Sequence, residues 1–203
     1  MMYIARILYP VEVLGPGKRI GIWFDGCEHH CRGCSNPELW ERQERYRVDA
    51  GAVLKMIRMI AGENPVDGFT LTGGDPFLQP EALEELLDPL RKISEDILVY
   101  TGYLAEDLKK RYPELLARIA VLIDGPYMEE RNHALPLIGS DNQRILFLRE
   151  EYRERYAPIL AQETSRIQNF RVRDGIISVG IHRPDYAQQL KDAAQRKGFT
   201  IDE

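Results

Sequence analysis

The chain has 203 residues, 44% hydrophobic and 29% charged, enough for one sizeable core and ordinary for a globular protein. Its formal net charge of -5 argues against a general nucleic-acid binder, which carries a basic face. No apolar run approaches the ~20 residues of a bilayer-spanning helix, and the opening Met-Met-Tyr-Ile-Ala-Arg lacks the features of a signal peptide. The expectation is therefore a cytoplasmic, reducing location with neither membrane nor nucleic acid as partner.

Residues 3–13 have strand character, with Pro10 marking an edge or a break, and Gly15-Pro16-Gly17 forms a turn. Ile20 to Phe24 is a short apolar run that reads as a buried strand. Directly after it comes Gly26-Cys27-Glu28-His29-His30-Cys31-Arg32-Gly33-Cys34, which holds all three cysteines of the chain at the spacing C-x3-C-x2-C. An odd set of thiols this close together is not a disulfide framework. Thiolates are soft donors that hold zinc or iron–sulfur centres. Structural zinc closes its shell with four ligands, and a [4Fe–4S] cube normally takes four cysteines. Three leave one iron with an open position, which is a place for chemistry. A cluster on Cys27, Cys31 and Cys34 therefore ranks first, zinc second and three unrelated buried thiols third. His29 and His30 read as loop residues, Trp40 as a packing anchor over the loop, and 42–47 as a solvated charged face.

Val48 to Ala61 carries Val53, Ile57 and Ile60 at helical spacing, with Asp49 as N-cap and Gly62 as stop. Phe69 to Thr72 is a second strand, ending in Gly73-Gly74-Asp75-Pro76. Pro80 to Ile93 is a helix with a stripe of Leu83, Leu86, Leu87 and Leu90, in which Pro89 is awkward. Ile97 to Tyr100 is a third strand, ending in Thr101-Gly102-Tyr103. A helix broken near Pro113 spans 104–119. Val121 to Ile123 is a fourth strand, ending in Asp124-Gly125-Pro126-Tyr127, and Ile145 to Leu148 a fifth. Beyond 149 the pattern changes. Residues 150–162 read as a charged helix, Asp174-Gly175 as the turn of a hairpin, and 184–197 as an amphipathic helix stopped by Gly198. His133 and His182 carry no surrounding pattern and read as ordinary surface or core residues.

Alternating strand and helix predicts a mostly parallel sheet with right-handed crossovers. A closed eight-stranded barrel takes about 250 residues. The expected fold class is therefore α/β, an incomplete (partial) TIM-like β/α barrel with a C-terminal hairpin and helix extension. Residues 1–149 form the core, and 150–203 the extension packed on the same domain. In such sheets the ligand sits at the carboxyl ends of the strands. Here four consecutive strand ends carry the cysteine loop or glycine beside a polar group.

C-x3-C-x2-C after one strand and Gly-Gly-Asp-Pro after the next resemble the radical S-adenosylmethionine superfamily. More narrowly, the run from Gly15-Pro16-Gly17 to Gly139-Ser140-Asp141-Asn142-Gln143-Arg144 resembles the activating proteins of anaerobic ribonucleotide reductase. The resemblance implies that residues 1–149 are a radical S-adenosylmethionine core, with Cys27, Cys31 and Cys34 holding three irons of a [4Fe–4S] cluster. S-adenosylmethionine would chelate the fourth iron, and its reductive cleavage would give a 5′-deoxyadenosyl radical. It further implies cofactor contacts at Gly73, Gly74, Asp75, Pro76, Thr101, Tyr103 and Asp124. Asp75 would accept from the cofactor's ammonium, and the last three strand-end residues would lie near ribose or adenine. The implied partners are a glycyl-radical protein and an electron donor of the flavodoxin or ferredoxin type. Two features depart from the pattern. Gly33 stands before Cys34 where much of the superfamily has an aromatic, and the segment from Glu150 exceeds the compact activating protein. The competing readings are a radical enzyme acting on a small molecule, like carboxy-deazaguanine synthase, and a non-catalytic iron–sulfur or zinc module.

Overall fold

The computed structural model describes residues 1–172 and 175–196. The larger of its two sheets contains β1 (Met2–Val11), β2 (Arg19–Phe24), β3 (Arg47–Val48), β4 (Gly68–Gly73), β5 (Ile97–Tyr100), β6 (Val121–Asp124) and β7 (Arg144–Phe147). They lie in the order β3-β1-β2-β4-β5-β6-β7. β2, β4, β5 and β6 run parallel. The helices α1 (Ala50–Glu63), α2 (Pro80–Arg91), α3 (Ala105–Arg111) and α4 (Pro113–Leu116) fill the crossovers between them.

The expectation of a mostly parallel sheet holds for this central block and fails at both flanks. β1 is antiparallel to β2, and β7 is antiparallel to β6. The cause is the connection. A parallel neighbour needs a crossover of a dozen or more residues, usually a helix. Only the glycine turn separates β1 from β2, and 125–143 contains no α-helix, so each chain returns directly. The sheet stays open and does not close into a barrel. Pro10 lies at an irregularity in the β1–β2 register between Leu8 and Val11, as a residue without an N–H should.

Alternation along the strands separates two faces. Ile20, Ile22 and Phe24 of β2, Phe69 and Leu71 of β4 and Val99 of β5 pack against Val53 and Ile57 of α1 and the leucines of α2. All four predicted α2 leucines are buried, at roughly 1.5–3 kcal/mol each for full burial. Pro89 sits inside α2, and Glu85, whose carbonyl loses its partner, is an exposed residue. Asp49 caps α1 by accepting from the Gly51 N–H at 2.8 Å. Gly62 does not stop α1, which runs through Glu63 to a C-cap at Asn64. The break at Pro113 falls between α3 and α4 as expected.

The opposite face is covered by the C-terminal segment. α5 (Arg153–Leu160) places the fully buried Tyr156 against Leu98, Val121 and Ile123. The hairpin of β8 (Ile167–Val172) and β9 (Gly175–Gly180) packs Val179, Phe170 and Ile177 on Trp23, Val11 and Leu14. α6 (Tyr186–Arg196) follows. Of the predicted turn and stop, Asp174, Lys197 and Gly198 lie outside the described residues.

A buried ion pair joins the two faces. Arg19 is 0% exposed and reaches Asp96 at 3.0 Å and the Thr70 hydroxyl at 2.8 Å. The Tyr156 hydroxyl donates to the same Asp96 at 2.7 Å, and Arg155 approaches it at 3.1 Å. α5 is thereby tied to the amino ends of β2 and β5.

Candidate functional site

The cysteine loop is fixed by its backbone. The Gly26 N–H donates to the Leu39 carbonyl at 2.9 Å, and the Cys27 N–H to the Trp40 carbonyl at 2.8 Å. On the other side the Asp75 N–H donates to the Gly26 carbonyl at 2.9 Å, and the Gly74 N–H to the Phe24 carbonyl at 2.8 Å. The carboxyl ends of β2 and β4 are thus stapled together where the loop departs. A Cβ on Gly73 would lie 2.5 Å from the Phe24 carbonyl oxygen, and one on Gly74 would lie 2.2 Å from that of Gly26. The glycine pair is needed for this close backbone packing.

Cys27, Cys31 and Cys34 are half-buried and line one open cavity of about 1030 Å³, counting the solvent in its mouth. Gly73, Gly74, Asp75 and Thr101 share that lining. Pro76, Tyr103 and Asp124 are not in it. Pro76 is buried and begins a 3-10 turn. The Tyr103 hydroxyl donates to the Glu28 carboxylate, and its ring meets His29 edge-on at 4.6 Å. Asp124 is fully buried and accepts from the Ala105 N–H at 2.8 Å and from Arg144 Nε at 2.9 Å. Arg144 continues to Glu106 at 2.8 Å.

Asp75 is the hub of the wall. Its carboxylate accepts from the Phe77 N–H at 3.0 Å, the Thr101 hydroxyl at 3.0 Å and the Gly102 N–H at 2.8 Å. His29 Nε2 lies 3.1 Å away, and this hydrogen bond raises the imidazole pKa. Burial pushes the Cys27 thiol up to about 11 and the Cys34 thiol upward as well. A metal bound here displaces thiol protons.

The donor chemistry fits an iron–sulfur cluster. The three thiols rim the cavity, and the neighbouring imidazoles are engaged elsewhere, His29 with Asp75 and His30 stacked on Trp40 at 5.0 Å. Among the described residues no three Cys, His, Asp or Glu side chains are grouped as a single-ion site. Tyr100 is also among the lining residues, and its hydroxyl is sealed from solvent with no hydrogen-bond partner among the described residues.

Sequence reasoning missed one whole wall. Ser178, Val179, Gly180, Ile181 and His182 line the cavity from the C-terminal hairpin. Only the hairpin signal was readable there, and nothing in the order of residues shows that β9 folds back onto β2. His182, expected to be an ordinary residue, belongs to this wall, whereas His133 is exposed and pairs with Asp141 at 3.4 Å.

A family model described as a 4Fe-4S single cluster domain matches residues 13–146. The chain is 34% identical over 144 residues to an anaerobic ribonucleoside-triphosphate reductase-activating protein of Enterobacteria phage T4, covering 68% of this chain and 90% of that protein. It is 34% identical over 145 residues to the protein of the same name from Haemophilus influenzae, covering 68% and 93%. With that of Escherichia coli K12 it shares 32% over 155 residues, covering 70% and 96%.

Proposed function

The chain belongs to the family of anaerobic ribonucleoside-triphosphate reductase-activating proteins, and on that premise we propose that it installs a glycyl radical on a partner enzyme such as anaerobic ribonucleotide reductase. It is a radical S-adenosylmethionine enzyme whose cofactors are a [4Fe–4S] cluster and S-adenosylmethionine. When bound, the cluster, reduced by an external donor, would pass one electron to S-adenosylmethionine and split its sulfonium C–S bond, giving methionine and a 5′-deoxyadenosyl radical able to take a hydrogen atom from a glycine Cα. The observation that carries this reading is the meeting of all three thiols with the glycine-rich end of β4 around one cavity. The small-molecule alternative is not favoured, because the relatives are activating proteins.

The protein's part is binding and orientation. Cys27, Cys31 and Cys34, half-buried in the cavity lining, would hold the cluster, which a small flavodoxin- or ferredoxin-type donor would reduce. Gly73, Gly74, Asp75 and Thr101 form the wall beside the nucleotide. Asp75, already holding Thr101, Gly102 and His29, orients that wall and would accept from the cofactor's ammonium. Pro76, Tyr103 and Asp124 act from behind: Pro76 turns the chain, Tyr103 holds Glu28 of the cluster loop, and Asp124 with Arg144 fixes the end of β6. We read the open sheet as part of a TIM-like barrel, since the cavity lies at the carboxyl ends of its parallel strands. We read 1–149 as the radical core and 150–203 as an extension of the same domain, supported by the contacts of Tyr156 with Asp96 and of Val179 with Trp23.

The test mixes the reduced, reconstituted protein and S-adenosylmethionine with an anaerobic ribonucleotide reductase large subunit. A glycyl doublet by electron paramagnetic resonance is expected. 5′-Deoxyadenosine without a doublet on any such subunit points instead to a small-molecule substrate.

A further inference from the structure

The hairpin wall lies beyond residues 13–146, the part of the chain the family model covers. His182 Nε2 is 3.0 Å from the Ser178 hydroxyl, which is itself 3.0 Å from the Tyr186 hydroxyl. The His182 and Tyr186 rings are 4.5 Å apart. The His182 carbonyl accepts from Asn132 Nδ2 at 2.7 Å, and the same amide nitrogen donates to the Tyr127 hydroxyl at 3.0 Å. The imidazole is therefore held by a hydroxyl, a ring and its own backbone, and Nδ1 has no hydrogen-bond partner among the described residues.

Burial pushes this imidazole below its ordinary pKa. A neutral ring offers one N–H and one lone pair. Nε2 is taken by Ser178, so Nδ1 is left to make one hydrogen bond, as acceptor or donor according to the tautomer that the Ser178 hydroxyl selects. A sugar hydroxyl, which can donate or accept, satisfies that nitrogen in either tautomer and brings no charge to a half-buried neutral ring. The charged amino and carboxylate groups of the cofactor would sit with the cluster on Cys27, Cys31 and Cys34. The uncharged, hydroxyl-bearing end is the ribose.

We propose that His182, positioned by Ser178 and Tyr186, binds a ribose hydroxyl of S-adenosylmethionine, so that the C-terminal hairpin completes the nucleoside site. This rests on the cofactor assignment above.

The test uses the full chain, anaerobically reconstituted with iron and sulfide, and calorimetric binding of S-adenosylhomocysteine and its 2′-deoxy and 3′-deoxy counterparts. The wild type is expected to bind one deoxy analogue about tenfold more weakly than the parent, the loss typical of one hydrogen bond. His182→Ala should bind the parent about tenfold more weakly and no longer distinguish the analogues. His182→Gln should recover part of the discrimination. Ser178→Ala, which removes only the hydroxyl that orients the ring, should reduce it. Discrimination by His182→Ala or Ser178→Ala equal to that of the wild type overturns the proposal, as does parallel weakening towards all three ligands. A wild-type protein that loads its cluster yet binds none of them overturns the cofactor reading itself.

Discussion

Gly74 lies so close against Gly26 that a Cβ on it would stand 2.2 Å from the Gly26 carbonyl oxygen. The contact is backbone to backbone, so no side chain can swing aside. It joins the end of β4 to the residue that launches the cysteine loop. Gly74→Ala is expected to destabilise the protein by about 1–3 kcal/mol and to lower iron retained after reconstitution. Gly62→Ala is the control. A Cβ there meets nothing within 4 Å, and the site is inside α1. It should stabilise by roughly 0.5–1 kcal/mol. Thermal melts and iron analysis of both variants check the pair.

Asp75→Asn keeps the shape of the side chain and removes its charge. Thr101, Gly102, Phe77 and His29 all address that carboxylate. One amide cannot accept from all of them, and its NH₂ faces donors. A stability loss of about 1–3 kcal/mol follows, together with weaker S-adenosylhomocysteine binding. Unchanged urea midpoint and unchanged affinity would remove Asp75 from its place as the hub of the wall.

Arg19→Ala leaves Asp96 buried beside Tyr156 with Arg155 as its one cation among the described residues. Breaking a buried pair in this way costs about 3–5 kcal/mol. The loss should appear in urea denaturation at neutral pH. Replacing Tyr156 by Phe removes only the hydroxyl and should cost less, about 0.5–1.5 kcal/mol.

Arg144 beside Glu106 holds that carboxyl well below its ordinary 4.5, at about 2. A depressed folded-state pKa contributes stability above the unfolded value and loses it as pH falls through the folded value. The stability difference between wild type and Glu106→Gln should therefore be constant above about pH 5 and shrink between 4.5 and 2. Since Glu106 is exposed, the difference should also weaken in high salt. Denaturation midpoints of the two proteins across that pH range check it.

The parts of this molecule written in local order were legible in the chain. The α2 stripe, the Asp49 cap and the break at Pro113 each depend on neighbours within a turn. The thiol spacing is equally local, as is the Gly73-Gly74 pair, against which the backbones of Phe24 and Gly26 pack. What was not legible depends on long-range pairing. Arg19 follows a glycine turn, yet its partner is Asp96, far along the chain and just before β5. Asp124 looked available to a ligand until Arg144, twenty positions on, proved to hold it. His182 could not be placed, because only the folding of the hairpin onto Trp23 brings it to the cavity. The antiparallel flanks follow from connections too short or too irregular to cross over, a feature that strand counting overlooks.

The most direct measurement of the central claim is product formation by the anaerobically reconstituted protein, reduced with dithionite in the presence of S-adenosylmethionine. Wild type should release 5′-deoxyadenosine and methionine, and Cys31→Ala should release neither. Zinc bound tightly in place of iron, with no 5′-deoxyadenosine from the wild type, would contradict the account.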